Sequence, residues 1–186
     1  MAVRVFGYAI VSLDGMIADA SGRMTEILII DADQEFYHAS LAGARLVVHG
    51  RHSAEPGADT ASRPRLIATT RIASLAPGPN PLAWLWNPNA LPFADALARL
   101  GIDEGIVAVV GGTDVFDLFL ALGYDAFFLS RSLRGRLPGG RPIFRAVPAH
   151  MPEEVLLSAG MQCAREDQLT PDLTLSFWER VPHSAP

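Results

Sequence analysis

The residues best arranged for chemistry are Val109-Val110-Gly111-Gly112-Thr113-Asp114-Val115-Phe116. The apolar run Ile106 to Val110 has the character of a buried strand, and Val115, Phe116, Leu118, Phe119 and Leu122 follow at helical spacing. A strand that passes through two glycines into a helix brings unpaired backbone N–H groups and a helix N-terminus to the end of a sheet. Both favour negative charge, so the arrangement suits a phosphate-bearing cofactor. Metal chemistry has little support: His38, His49, His52, His150 and His183 show no paired-ligand spacing, and Cys163 is the only cysteine.

Composition narrows the classes further. The chain has 186 residues, 49% hydrophobic and 19% charged, which fits one globular domain over residues 1–186. A net charge of −5 and a pI near 5.5, with no long Lys/Arg run, disfavour nucleic acid as the main partner. No apolar stretch approaches the ~20 residues of a membrane span. The N-terminal apolar run breaks at Asp14 and lacks a cleavage signature, so it reads as a first strand. A single cysteine excludes an internal disulfide and fits a reducing cytoplasm. A mean hydropathy of +0.22 leans towards a homodimer that covers spare apolar surface.

The Gly-Gly turn needs a sheet to carry it, and the pattern supplies one. Strands are expected at Val3–Leu13, Arg45–His49, Arg65–Thr69, Leu82–Trp86, Ile106–Val110 and Ala126–Ser130. Val155–Ser158 and Thr174–Arg180 are expected to close the chain as an antiparallel pair. Helices are expected over Asp33–Leu41, with Asp33 as a candidate cap, over Pro92–Leu100, and after the glycines. Residues 54–64, 76–81 and 135–142, rich in Gly and Pro, read as loops. Strands alternating with short helices indicate an α/β fold whose sheet is mostly parallel, with a mixed edge.

Val48-His49-Gly50-Arg51-His52-Ser53 sharpens this picture. A strand ending in Gly-Arg-His-Ser, followed about sixty residues later by strand–Gly-Gly–helix, resembles the dihydrofolate reductase fold. The order of Ser12-Leu13-Asp14-Gly15-Met16-Ile17-Ala18, a helix, the Gly-Arg-His-Ser turn, a strand ending Thr69-Thr70-Arg71 and the Gly-Gly turn matches as well. The first of these segments, together with Leu137-Pro138-Gly139-Gly140-Arg141-Pro142-Ile143-Phe144, is similar to the riboflavin-biosynthesis branch, the RibD C-terminal reductases. The resemblance spans nearly the whole chain. It implies a three-layer α/β/α fold with a mixed, mostly parallel central sheet and an antiparallel C-terminal edge.

The resemblance also implies an NADPH-dependent reductase acting on a pyrimidine- or pterin-like substrate such as 5-amino-6-(5-phosphoribosylamino)uracil. Dihydrofolate reduction and a non-catalytic NADPH-binding module are the alternatives. Under this reading Gly50 permits a tight turn. Arg51 and His52 meet the 2′-phosphate or pyrophosphate, arginine with its planar donor fork. Ser53 either binds phosphate or caps a following helix. Thr69, Thr70 and Arg71 add hydroxyls and a cation beside the adenosine phosphate. The Gly111-Gly112 peptide is expected to be cis, with Val110 before it and with Thr113, Asp114 and Val115 offering N–H groups to the pyrophosphate. Asp114 either serves there, caps the helix or points away. Ile10 and Ile17 supply backbone contacts to the nicotinamide.

On the substrate side the implied proton donor is Asp33, hydrogen-bonded to Ser130. A carboxyl group facing an apolar pocket has a raised pKa, which suits proton donation; a simple helix cap is the other reading of Asp33. Tyr8 and Tyr37 are candidate pocket walls, and Phe36 is expected in the core. Arg63 is a candidate cation for a substrate tail or a solvated charge, and Arg131, Arg134 and Arg141 are candidates for a substrate phosphate. The chain departs from the riboflavin branch at Met16, where a lysine is usual, and at Val110, where an acid is usual. It departs from the dihydrofolate reductases at Ile27-Leu28-Ile29-Ile30, which replaces a Pro-Trp pair, and at Phe116, which replaces a tyrosine.

Overall fold

A computed structural model describes residues 2–53 and 62–181. Most of the loop expected over 54–64 therefore lies outside the described residues, as does His183. In chain order the elements are β1 (Val3–Val11), β2 (Met16–Ala18), α1 (Asp31–Ala42), β3 (Ala44–Gly50), β4 (Arg65–Ala68), β5 (Leu75–Pro77) and β6 (Ala83–Trp86). Then come α2 (Phe93–Arg99), β7 (Gly105–Val109), α3 (Thr113–Leu122), β8 (Ala126–Ser132), β9 (Arg141–Pro142), α4 (Pro152–Ser158), β10 (Met161–Thr170) and β11 (Leu173–Arg180).

Nine of the strands form one sheet in the order β10-β11-β8-β1-β7-β3-β4-β6-β5. The six from β8 to β6 run parallel. The outer strands β11, β10 and β5 are antiparallel to their neighbours. β2 and β9 pair separately. The central strands read as unbroken apolar runs because both faces of a parallel sheet are covered. Alternation along β1 divides the core. Phe6 and Tyr8 pack with Leu41 and Phe36 of α1 on one face. Val11, Val107, Val109, Phe127 and Leu129 face Val115, Phe116 and Phe119 of α3 on the other, with α2 and α4 beside them. Phe119 is fully buried, with the rings of Phe93 at 4.9 Å and Trp86 at 6.4 Å. Burying such a side chain contributes roughly 1.5–3 kcal/mol. The result is three layers, helix–sheet–helix.

Four expectations need correction. Val155–Ser158 is not a strand but the second half of α4, which starts at Pro152 with the Glu154 carboxylate accepting from the Met151 N–H at 2.8 Å and buries Leu156. The antiparallel partner of β11 is instead β10, a polar edge strand. Residues 76–81 are not wholly irregular: Ala76 and Pro77 belong to β5, at the sheet edge where proline needs no ladder donor. Within 135–142, Arg141 and Pro142 pair with β2. Finally, α1 begins two residues before Asp33; the cap position is Ile30, with no side-chain cap. Asp33 is therefore inside the first turn and is not the helix cap.

Candidate functional site

Parallel strands deliver their carboxyl ends to one edge of the sheet, and crevices there are the usual ligand sites of open α/β folds. Here β1, β7, β3, β4 and β8 all end on one open cleft of about 1060 Å³. The Gly50–Ser53 turn, Thr69–Arg71 and Val110–Val115 line one half, while Tyr8, Ile10, Asp33, Tyr37 and Ser130, with Ile17, line the other. Of the site residues expected from sequence, Arg63, Arg131 and Arg134 are not brought to the cleft.

The first half is built from two turns joined by backbone bonds. Gly50 N–H donates to the Gly111 carbonyl at 2.8 Å, and Ser53 N–H donates back to the Gly50 carbonyl at 3.1 Å. The Gly111-Gly112 peptide is cis, and Gly111 has φ +119°. A Cβ on Gly112 would lie 3.1 Å from Ser53 Oγ, so a side chain there would fill the hollow between the turns. α3 then starts at Thr113, whose hydroxyl donates to the Pro142 carbonyl at 2.5 Å. Val115 N–H already donates to the Gly112 carbonyl at 3.0 Å, so the open donors of this first turn are those of Thr113 and Asp114 rather than Val115.

The charges of this half suit an anion. Arg51, His52 and Arg71 are exposed at its rim, with Arg51 Nη2 2.9 Å from His52 Nε2. Among the described residues Asp114 is the one acid lining this half, and Arg145 pairs with it at 2.6 Å. Both partners are mostly exposed, so the pair offsets charge more than it stabilises the fold. A cation-rimmed hollow beside a helix N-terminus fits a phosphate-bearing dinucleotide. Whether Ser53 caps a following helix lies outside the described residues.

The second half is apolar and aromatic around one carboxyl group. Asp33 is 8% exposed. Burial raises its pKa, and a hydrogen bond from the Ser130 hydroxyl offsets part of that rise. Ser130 reaches it because β8 pairs in register with β1: Ser130 lies opposite Ile10 and Phe128 opposite Tyr8, on the face covered by α1. Tyr8 stacks on Phe128 at 5.0 Å and 5°, and Phe36 leans on both rings. Phe36 thus serves the core, as expected, and also lines the cleft. Tyr37 stands edge-on to His38. Burial also raises the Tyr8 pKa, partly offset by its bond with Ser40.

Of the three arginines considered for a substrate phosphate, two are committed elsewhere. Arg131 donates to the carbonyls of Ser12 and Leu13 and pairs with Glu153. Arg134 pairs with Asp172 at 2.5 Å and donates to the carbonyls of Glu26 and Ile29. Arg141 alone lines the cleft, its guanidinium lying over Gly22. The loop before α1 also adds Arg23, Met24, Leu28 and Ile29 to the rim. The sequence reading missed these; exposed apolar side chains at Met24 and Ile29 in a loop were the available signal. Among the described residues no group of three or more His, Cys, Asp or Glu side chains is gathered to hold a metal ion, and no helix is long and apolar enough to cross a membrane.

No protein-family model matches the chain, and no curated protein matches it by sequence. Solved structures do match by fold. A protein from Shewanella sp. PV-4, assigned provisionally to riboflavin biosynthesis, superposes with a TM-score of 0.66 at 17% identity, over 97% of this chain and 99% of that one. A diaminohydroxyphosphoribosylaminopyrimidine deaminase/5-amino-6-(5-phosphoribosylamino)uracil reductase from Thermotoga maritima gives 0.63 at 16% identity, over 97% of this chain and 57% of that one. Dihydrofolate reductase from Enterococcus faecalis, complexed with NADP(H) and RAB-propyl, gives 0.61 at 12% identity, over 95% and 96% of the two chains. This chain therefore has the dihydrofolate reductase-like fold that these proteins share.

Proposed function

We propose that this chain is an NADPH-dependent reductase of the RibD C-terminal type, acting on a phosphorylated ribosylaminopyrimidine such as 5-amino-6-(5-phosphoribosylamino)uracil. One observation carries the reading: a buried carboxyl group whose pKa burial raises and a cation-rimmed anion cradle share a single cleft. Arg51, His52, Ser53 and Thr69–Arg71 would hold the 2′-phosphate, and the Thr113 and Asp114 N–H groups the pyrophosphate. The backbone at Ile10 and Ile17 would hold the nicotinamide. Bound NADPH supplies a hydride, which carries two electrons to carbon.

The chain's own residues then manage the proton. Reduction of a substrate C=N bond at carbon would leave its nitrogen in need of a proton. Asp33 delivers the balancing proton to that nitrogen and recovers one from solvent through the open cleft. Burial suits Asp33 to this, because it holds its proton to higher pH than a surface carboxyl group. The aromatic surface of Tyr8, Phe36 and Phe128 favours a planar heterocycle, and Arg141 is the cation at hand for the substrate phosphate.

The test is NADPH titration followed by tryptophan fluorescence (Trp84 and Trp86 lie on β6, beside β4, which leads into Thr69), then NADPH oxidation at 340 nm with the ribosylaminopyrimidine phosphate and with dihydrofolate. Absence of binding at near-millimolar NADPH overturns the reading. Turnover of dihydrofolate alone moves the substrate to the folate branch, and binding without turnover of either leaves a nucleotide-binding module. The same reading makes the chain one cytoplasmic reductase domain and a homodimer. The mean hydropathy of +0.22 supports the dimer, which sedimentation checks.

A further inference from the structure

His49 lies one residue before the Gly50–Ser53 turn, is 1% exposed and does not line the cleft. A position so deep in a central strand is ordinarily apolar, and an imidazole there costs free energy unless its nitrogens are bonded. Both are. Arg65, at the start of β4 and 6% exposed, reaches His49 Nε2 with a guanidinium nitrogen at 3.2 Å. His49 Nδ1 lies 2.8 Å from the Gly50 carbonyl oxygen.

Among the described residues these two contacts select the position of the ring proton. Guanidinium can only donate and stays protonated, so Nε2 must accept. A carbonyl can only accept, so Nδ1 must carry the hydrogen. Neutral His49 with its proton on Nδ1 satisfies both. The Gly50 carbonyl then accepts from His49 and from Ser53 N–H, while Gly50 N–H donates to Gly111. The peptides on both sides of Gly50 are thus pinned, one to the buried Arg65–His49 pair and the other to the Gly-Gly turn.

We infer that Arg65 and His49 are positioning residues for the dinucleotide: Arg65 selects the His49 tautomer, and His49 orients the Gly50 carbonyl so that Arg51, His52 and Ser53 present one anion-binding geometry. This rests on the NADPH reading above. It differs from that reading in assigning a role to residues that touch neither cofactor nor substrate.

Two substitutions separate the halves of the pair. His49→Asn keeps a donor near the Nδ1 position; His49→Gln keeps an acceptor near Nε2 but loses the donor. Losing a neutral hydrogen bond worth about 0.5–1.5 kcal/mol corresponds to roughly 2- to 12-fold in affinity. His49→Gln should therefore raise the NADPH KM by that factor with kcat unchanged, while His49→Asn stays near wild type; thermal melts confirm that both variants fold. Independently of activity, long-range ¹H–¹⁵N NMR of the wild-type protein should show His49 protonated on Nδ1 and bare on Nε2, and Arg65→Met should relax that preference. Finding the Nε2–H form overturns the inference. So does NADPH binding by wild type with both variants at wild-type affinity, a result that leaves the cofactor reading intact. A wild-type protein with the Nδ1–H tautomer that binds no NADPH overturns the cofactor reading and the positioning role together.

Discussion

Asp33→Asn removes the transferable proton and leaves the packing almost unchanged. Asparagine has nearly the shape of aspartate, and its amide oxygen still accepts from Ser130. General acid catalysis by a placed side chain is typically worth 10²–10⁴-fold, or about 2.7–5.4 kcal/mol at 1.36 kcal/mol per decade. The cleft is open, so water replaces part of the lost function and the expected fall in kcat/KM is roughly 10²–10³-fold, the lower half of that range. The pH profile carries the finer test. Wild-type activity needs protonated Asp33, so it should decline as pH rises through a carboxyl pKa that burial has raised; the variant should lack that limb. NADPH affinity should hold within about twofold, because Asp33 lies in the half of the cleft away from the phosphate turns. The assay is NADPH oxidation at 340 nm across pH, beside a fluorescence titration of the cofactor. A variant that keeps wild-type rate and an unchanged alkaline limb refutes Asp33 as the proton donor.

The same pKa shift sets the sign of a stability effect. Native Asp33 binds its proton more tightly than the unfolded chain does, so stability falls as pH climbs from the unfolded to the folded pKa and the penalty persists above it. Asp33→Asn should therefore melt higher than wild type at about pH 8 and show no such gain at about pH 3; a reversed order refutes the burial argument. Arg51→Ala removes a charged donor worth about 1.5–3 kcal/mol, so the NADPH KM should rise roughly 12- to 150-fold while NADH changes much less. Equal losses for the two cofactors exclude a 2′-phosphate role. Gly7 in β1 leaves the space that the Phe127 ring occupies, and an added Cβ would fall within that ring. Gly7→Ala should cost about 1–3 kcal/mol in denaturant unfolding; an unchanged midpoint contradicts the packing described.

The cleft was legible in the sequence to the extent that it depends on parallel strands. When strands alternate with helices, every segment just after an apolar run arrives at the same sheet edge. Gly50–Ser53, Thr69–Arg71 and Gly111–Asp114 could thus be grouped before any coordinates. The chain end was less legible. Val155-Leu156-Leu157-Ser158 is too short an apolar run for periodicity to separate strand from helix. The deciding signal was the Pro152-Glu153-Glu154 start, since proline and acids favour a first helical turn. β10 escaped notice because an edge strand covered on one side only, with mostly exposed residues from Gln162 to Leu169, carries no apolar alternation. The arginines illustrate a different limit. Side chains alternate along a strand, so once Ser130 faces Asp33, Arg131 must face the opposite layer, where Glu153 meets it. Sequence showed Arg131, Arg134 and Arg141 as equivalent cations; strand register and the Asp172 contact separated them.

Asp33 and Asp114 show how one cleft assigns different work to the same side chain. These are the two acids among its described lining residues. Asp114 stands at the start of α3, mostly exposed and held by Arg145, so its charge is compensated and it does not oppose an anion nearby. Asp33 stands two residues inside α1, where the Ile30 start of the helix carries it past the cap position and into contact with Ser130. Val110 lines the same cleft just before the Gly-Gly turn, at the place where the riboflavin-branch resemblance implies an acid. An apolar side chain there leaves Asp33 and Asp114 as the acids among the described lining residues, and the proposed proton delivery is assigned to Asp33. Environments that separate two carboxyl groups in this way support the proposed division, with proton transfer at the α1–β8 side of the cleft and the anion at the β3–β7 side.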